Sequence, residues 1–313
     1  MPNAYRYVGI GRENPFKTPA AAAKYIDVIG ESLTPYRGYR VTSGVSSQAP
    51  LGKSATREGA RGGIVFPVRP DNITNILKSV MGAVTSTIIG ATTAYTHVFK
   101  MADDLTSLTL RVGKELDEEI YAGCVTDSLA LSGAADDDLQ ASVGIIGAQK
   151  PTTGAIATPT FSALRTFPYQ QNVVTLGGAA FAVCEGFVLQ VNRNIDDFRV
   201  CGDLTLPRIK PQNRMVSGRM VLDFANVTQR DIFLTDTELA NLKFKFEGIA
   251  IPAAPASKYT FEILLPKLWY VAYSGPSLRG RARLQAAADF GALYDVTNTE
   301  LMITVINEET TIA

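Results

Sequence analysis

Apolar and polar residues alternate along most of this chain with the period of two that marks a half-buried β-strand. Leu108, Leu110 and Val112 point one way while Thr109 and Arg111 point the other. Leu242, Phe244 and Phe246 alternate with Lys243, Lys245 and Glu247, and Phe187, Leu189 and Val191 with Val188, Gln190 and Asn192. In 278–285, Leu278, Gly280, Ala282 and Leu284 oppose Arg279, Arg281, Arg283 and Gln285. The run from Leu301 to Ile306 is apolar on both faces, which predicts a strand covered on both sides. Helical spacing is scarce. Ile73, Ile76, Leu77 and Val80 predict one short helix that follows Asp71, whose carboxylate is a suitable N-cap, and stops at Gly82. A second helical turn is expected over 236–240. The fold class that follows is mainly β, with one short flanking helix per half.

Two stretches lack periodicity. Residues 43–63 are rich in Gly, Ser and Ala and are expected to form a long loop, and 147–160 read as a linker. The linker divides the chain into 1–150 and 151–313, each a normal domain size. The order of elements is similar in the two parts. In the first, a strand at 64–68 leads to the helix, then to strands at 107–112, 121–132 and 139–146. In the second, a strand at 219–224 leads to the turn at 236–240, then to strands at 242–247, 259–273 and 278–286. This predicts an internal duplication of one β domain.

Composition narrows the function. Of the 313 residues, 46% are hydrophobic, enough for a sizeable core, while 19% are charged, below the usual quarter. A surface sparing in charge fits a chain that covers part of itself with other copies. Thirty basic residues balance thirty acidic ones. A tight clamp on nucleic acid needs an excess of Lys and Arg, so this balance argues against one, though not against a channel through which DNA slides. Cys124, Cys184 and Cys201 show no metal-ligand spacing and are read as small buried apolar residues from a reducing compartment. The N-terminus does not read as a signal peptide, and no apolar run reaches the ~18 residues of a membrane helix.

Catalytic constellations are missing from the pattern. The sole histidine, His97, shares a strand face with Tyr95 and Phe99 and has no accompanying Ser or Cys motif, so it is read as structural. Gly52-Lys53-Ser54 imitates the end of a phosphate-binding loop, but Ser47 stands where that loop needs its first glycine and no helix pattern follows. Gly9 and Gly11 lack the third glycine of a dinucleotide fingerprint. The acidic clusters at 117–119 and 136–138 do not have the alternating ligands of a calcium loop. Asp136, Asp137 and Asp138 read as a solvated hairpin tip or as charge lining a channel. Arg279, Arg281 and Arg283 on one strand face call for carboxylates, solvent or a neighbouring subunit. Trp269 sits in an apolar strand and is expected in the core. No cofactor or metal is implied, and no enzymatic activity is expected.

An ordered set of segments resembles a known family. Arg6 to Glu13 and Tyr25 to Val28 resemble the opening of siphophage tail tube proteins. Gly62 to Val68, Pro70 to Gly82, Tyr95 to Phe99, Leu108 to Val112, Tyr121 to Cys124, Ser128 to Ser132, Val188 to Asn194 and Gly218 to Phe224 follow in the family's order. Asn14 to Thr18 departs from it. The resemblance implies a tube-type β-sandwich or barrel that self-assembles into stacked rings around a channel for DNA ejection. It also implies location in the phage tail after synthesis in the host bacterial cytoplasm. The partners implied are other copies of itself, a tape measure protein, a tail terminator and double-stranded DNA in transit without tight binding, and no membrane. A duplicated chain implies a trimeric ring with pseudo-sixfold symmetry, a single domain a hexamer. Ser47, Leu51, Lys53, Arg57 and Arg61 in the loop, with the N-terminal arm, are candidates for contacts between rings. Asp136, Asp137, Asp138, Arg279, Arg281 and Arg283 are candidates for channel or interface charge. Other readings of the same β pattern are a tail terminator, a baseplate hub or decoration protein, or a carbohydrate- or receptor-binding sandwich.

Overall fold

The computed structural model describes residues 6–276, 283–310 and Ile312. Strands β1 (Arg6–Arg12), β2 (Lys24–Ile26), β3 (Gly30–Glu31), β4 (Thr34–Thr42) and β5 (Gly52–Pro67) precede helix α1 (Thr74–Met81). After it come β6 (Gly82–Ile88), β7 (Tyr95–Met101), β8 (Leu108–Lys114), β9 (Glu118–Ala134), β10 (Gln140–Gly147) and β11 (Thr152–Gly154). Next are β12 (Asn172–Leu176), β13 (Ala179–Ala180), β14 (Cys184–Asn192), β15 (Met215–Asp223) and helix α2 (Thr228–Leu234). The long hairpin of β16 (Leu239–Ile251) and β17 (Ala254–Ser274) leads to β18 (Gln285–Ala292) and β19 (Met302–Asn307).

These strands pair antiparallel, and one unbroken run has the order β4–β5–β10–β9–β14–β15–β18–β17. Two ladders tie early strands to late ones: β9 to β14, and β7 to β19. The long strands β9 and β17 change partners along their length. The start of β9 pairs with β8 and its end with β10 and β14, while β17 pairs first with β16 and β19, then with β18. They carry the chain between two layers of a β-sandwich. Phe187 of β14 stacks on Phe244 of β16 with ring centroids 4.1 Å apart, although the two strands share no ladder. Such a contact is the face-to-face packing of two sheets.

The core follows the sequence pattern. Phe187, Leu189, Val191, Leu242, Phe244, Phe246, Leu108, Leu110 and Val112 are all buried. In β19, Ile303 and Val305 are buried while Met302, Thr304 and Ile306 are half-buried, so this strand has one covered face and one partly covered, not two covered faces.

Helix α1 buries Ile76, Leu77, Val80 and Met81. Asp71 is not its N-cap. The cap position falls on Ile73 without a side-chain bond, because a turn at 69–72, pinned by Asn72 to the Arg69 amide and the Pro67 carbonyl, sets Asp71 two residues before it, and the Asp71 Oδ1 meets no partner. Gly82 ends the helix at φ 89°, where a Cβ would stand 2.5 Å from the Asp104 carbonyl oxygen. The second helix lies at 228–234 rather than 236–240. Asn226 accepts the Thr228 amide at 3.0 Å and starts the turn early, and Leu239 and Ala240 already belong to β16.

The stretch 43–63 is not a loop throughout. Residues 52–63 continue strand β5, which pairs with β4 from Thr42↔Gly52 to Thr34↔Arg61, so irregular chain is confined to 43–51. No core lies under this hairpin beyond Glu58, hence no apolar alternation marks it. Trp269 is half-buried, its ring lying over Gly291 rather than inside the core. Cys124 is buried, but Cys184 is half-buried and Cys201 exposed.

Candidate assembly surfaces

The hairpin of β4 and β5 leaves the body as an arm. From Arg37 to Arg57 no residue is buried, and Tyr39, Val41, Val45 and Leu51 are exposed apolar side chains. The arm carries Arg37, Arg40, Lys53 and Arg57, with no carboxylate between 37 and 57. Its cations lie over its own rings: Lys53 Nζ is 5.0 Å from the Tyr39 centroid, and the Arg57 guanidinium 5.7 Å from that of Tyr36. Ser47 is half-buried in the tip, where its hydroxyl accepts the Ala49 amide, and Leu51 stands exposed where the chain re-enters β5.

Arg61 does a different job. It sits at the root of the arm, where its Nη2 meets Asp197 Oδ2 at 2.7 Å. Asp197 also accepts from Arg199 Nη1 at 2.5 Å and from Tyr36 Oη at 3.1 Å. Arg199 in turn donates to Tyr36 Oη and to the Glu58 carbonyl, and the Glu58 amide donates to the Leu204 carbonyl. Burial works to raise the Asp197 pKa. Hydrogen bonds from Arg199 and Arg61 outweigh it, so the carboxyl is held below its ordinary range. The arm's root is therefore fixed by a charged knot from the segment after β14, and its tip is free.

The three aspartates lie at the other end of the sheet. β10 runs from Gln140, opposite Pro67, to Gly147, opposite Ala60, so the arm leaves at the Gly147 end and the 135–138 turn closes the Gln140 end. Asp136 and Asp137 are exposed there, Asp136 with φ 69°, while Asp138 is half-buried and accepts from Thr166 Oγ1 at 2.6 Å. In the second acidic cluster, Glu118 is buried between Arg111 Nη1 and Tyr7 Oη, each at 2.6 Å. Arg283 forms ion pairs with Glu185 and Asp223, close to the same end as the aspartates. Arg279 and Arg281 lie outside the described residues, as does the N-terminal arm up to Tyr5.

His97 is buried, with Nδ1 at 2.8 Å from Ser86 Oγ and Nε2 at 3.0 Å from Asn307 Oδ1. Burial pushes its pKa down, and the nearby Lys24 charge works the same way against the Asn307 bond. The ring braces the β7–β19 ladder as a neutral group. Among the described residues no group of three or more His, Cys, Asp or Glu side chains is placed to hold a metal. No helix is long and apolar enough to cross a membrane.

The sheet presents open edges. Among the described residues β4 pairs only with β5, β6 only with β7, and β17 beyond Leu268 only with β18. Unpaired edges on a mainly β chain are what an assembling subunit offers to its neighbours. No curated protein matches the chain. The family model described as phage tail tube protein matches residues 6–267, most of the chain, and covers the arm, the acidic turn, both helices and the β9–β14 joint. The chain belongs to the phage tail tube protein family.

Proposed function

We propose that this protein is the repeating subunit of a phage tail tube, closing into rings that stack around the channel through which DNA is ejected. The family match carries the tail role. Ring formation and stacking are supported by the placement of the arm. A cationic hairpin at one end of the sheet and exposed Asp136 and Asp137 at the other make the subunit complementary to itself along one direction. Head-to-tail contacts of that kind propagate into a filament, and rings stacked by them make a tube. Ser47, Leu51, Lys53 and Arg57 belong to the reaching part of the arm, whereas Arg61 holds its root. A tape measure protein inside the lumen and a terminator at the tube end are the expected partners, and DNA passes without being held.

Electron microscopy of the purified, concentrated protein tests this reading. Hollow tubes with a regular axial repeat are expected. A discrete monomer or small oligomer at every concentration overturns the tube subunit in favour of a baseplate or decoration component.

A further inference from the structure

The eight-strand run contains one arrangement twice: β4–β5–β10–β9, then β14–β15–β18–β17. In each, a pair of strands leads to a helix, then to a long strand, then to a strand that returns between them. The ladders also agree residue by residue. Ile64 pairs with Val143 and Val143 with Leu129; Met220 pairs with Ala288 and Ala288 with Tyr273. One pair further on, each long strand carries a β-bulge, skipping Asp127 in β9 and Val271 in β17. Bulges are positional features of a fold, and two at matching places are a strong sign of equivalence. The first strands match as well. Gly30 faces Val65 and Gly186 faces Val221, and three residues on, Leu33 and Leu189 are both buried.

This equivalence makes the joint between the repeats a template. The last strand of the first repeat, β9, pairs with the first strand of the second, β14, with Ala130 opposite Gln190 and Ser128 opposite Asn192. The equivalents of those four residues are Ser274, Thr34, Ala272 and Tyr36. All four lie on the open edges of β17 and β4. Helix α2 does not fill the β17 edge, because it meets that strand through Tyr270 and Tyr273 on the core side.

We infer that β4 of one copy pairs antiparallel with the end of β17 of the next, with Thr34 opposite Ser274 and Tyr36 opposite Ala272, repeating between chains the joint already made within one. The inference rests on the self-assembly reading and gives it a register. Pro35 falls where the internal joint has Val191, so this ladder has one donor fewer, and the Leu33 amide is occupied by the Glu31 carboxylate. Both features protect a solitary edge against unspecific pairing. The surroundings agree. The end of the first repeat near the arm's root is covered by the segment after β14, through Leu206 N to Ala148 O and Glu58 N to Leu204 O. The matching end of the second repeat leaves Met215, Tyr294 and Val296 exposed. The segment that follows β4 at the matching point is the arm, so the root of the next copy's arm covers this end.

The test is a pair of cysteines, Thr34→Cys with Ser274→Cys, in a Cys201→Ser background, oxidised after tube assembly. Covalent multimers are expected, ending at the closed ring, with roughly tenfold less from the shifted pair Thr34→Cys with Ala272→Cys, whose side chains are not directly opposed. Tubes with no cross-link, or equal cross-linking from both pairs, overturn the register and leave the tube reading intact. Failure of the parent protein to form tubes removes both. Hydrogen exchange of the unmodified protein decides the matter if the variants do not fold. The Tyr273 amide, which points away from β18 on the open edge, is expected to become protected on assembly, and unchanged exchange there overturns the inference.

Discussion

The two halves of the eight-strand run share one arrangement of strands and are finished differently. In the first, α1 is buried under the β6–β7 hairpin that follows it, and the sheet end near the arm is covered by the segment after β14. In the second, no residue of α2 is buried, the chain runs almost directly from α2 into β16, and Met215, Tyr294 and Val296 stay exposed. Leu77 of α1 is fully buried, whereas Leu234 of α2 is 69% exposed. The same arrangement of strands can thus be completed by its own chain or left for another copy to complete. A subunit that has to be soluble before assembly and buried after it needs one finished half to fold on and one unfinished half to join with.

That contrast breaks first under truncation of the two helices. Leu77→Ala removes a core side chain and is expected to cost about 3 kcal/mol in chemical denaturation of the unassembled protein. Leu234→Ala should change it by less than ~0.5 kcal/mol. Equal losses would mean that α2 is held as tightly as α1 and that the second repeat is already complete.

A glycine pair sharpens the same point between body and arm. At Gly218 a Cβ would lie 2.4 Å from the Phe290 ring and 2.5 Å from the Val188 carbonyl oxygen, so Gly218→Ala is expected to destabilise by about 2 kcal/mol. At Gly52 in the arm nothing stands within 4 Å, and Gly52→Ala should be neutral or stabilising by up to ~0.5 kcal/mol. Thermal unfolding of both variants checks the difference.

The β7–β19 ladder should give the pH dependence. His97 is neutral in the fold and its pKa is depressed, so the unfolded chain takes up the proton first as pH falls below about 6.5. Stability is then lost on acidification, with a slope of at most about 1.4 kcal/mol per pH unit, and is fully present above that range. His97→Asn should flatten this part of the stability–pH curve. An unchanged slope in the variant would place the titrating group elsewhere.

The smallest effect on the single chain, and the most selective for assembly, is expected from the arm's charges. Lys53→Glu with Arg57→Glu should leave unfolding within ~0.5 kcal/mol of the parent, because both side chains are exposed. Stacking should weaken, and tubes of the parent should shorten as salt rises and screens the arm from the aspartates. Tubes of unchanged length in the variant would remove charge from the stacking contact.

Most of the fold is legible in the sequence because burial writes a pattern. The alternation at Leu108–Val112, Phe187–Val191 and Leu242–Phe246 and the stripe from Ile73 to Val80 all record a covered face. Where nothing is covered, nothing is written. Residues 52–58 are strand without a core beneath them, and the apolar side chains that α2 packs on the core are Ile232 and Phe233, so the one reads as loop and the other is displaced. Lys53 and Arg57 stand as candidates for ring contacts because they lie in the aperiodic stretch 43–63 of a chain that resembles tail tube proteins. The knot that fixes the arm is not legible, because Arg61 and Asp197 lie 136 residues apart and each is an unremarkable surface charge in sequence. The duplication proposed from element order is supported by two bulges at matching ladder positions, a feature that side-chain identity does not encode.

The most direct test of the account is a high-resolution cryo-electron microscopy map of the assembled tube. The account predicts three copies per ring, a pseudo-sixfold lumen, and a sheet that passes without a break from Ala272–Ser274 of one copy to Thr34–Tyr36 of the next. A ring of six full chains, or one in which those two edges remain open, would contradict it.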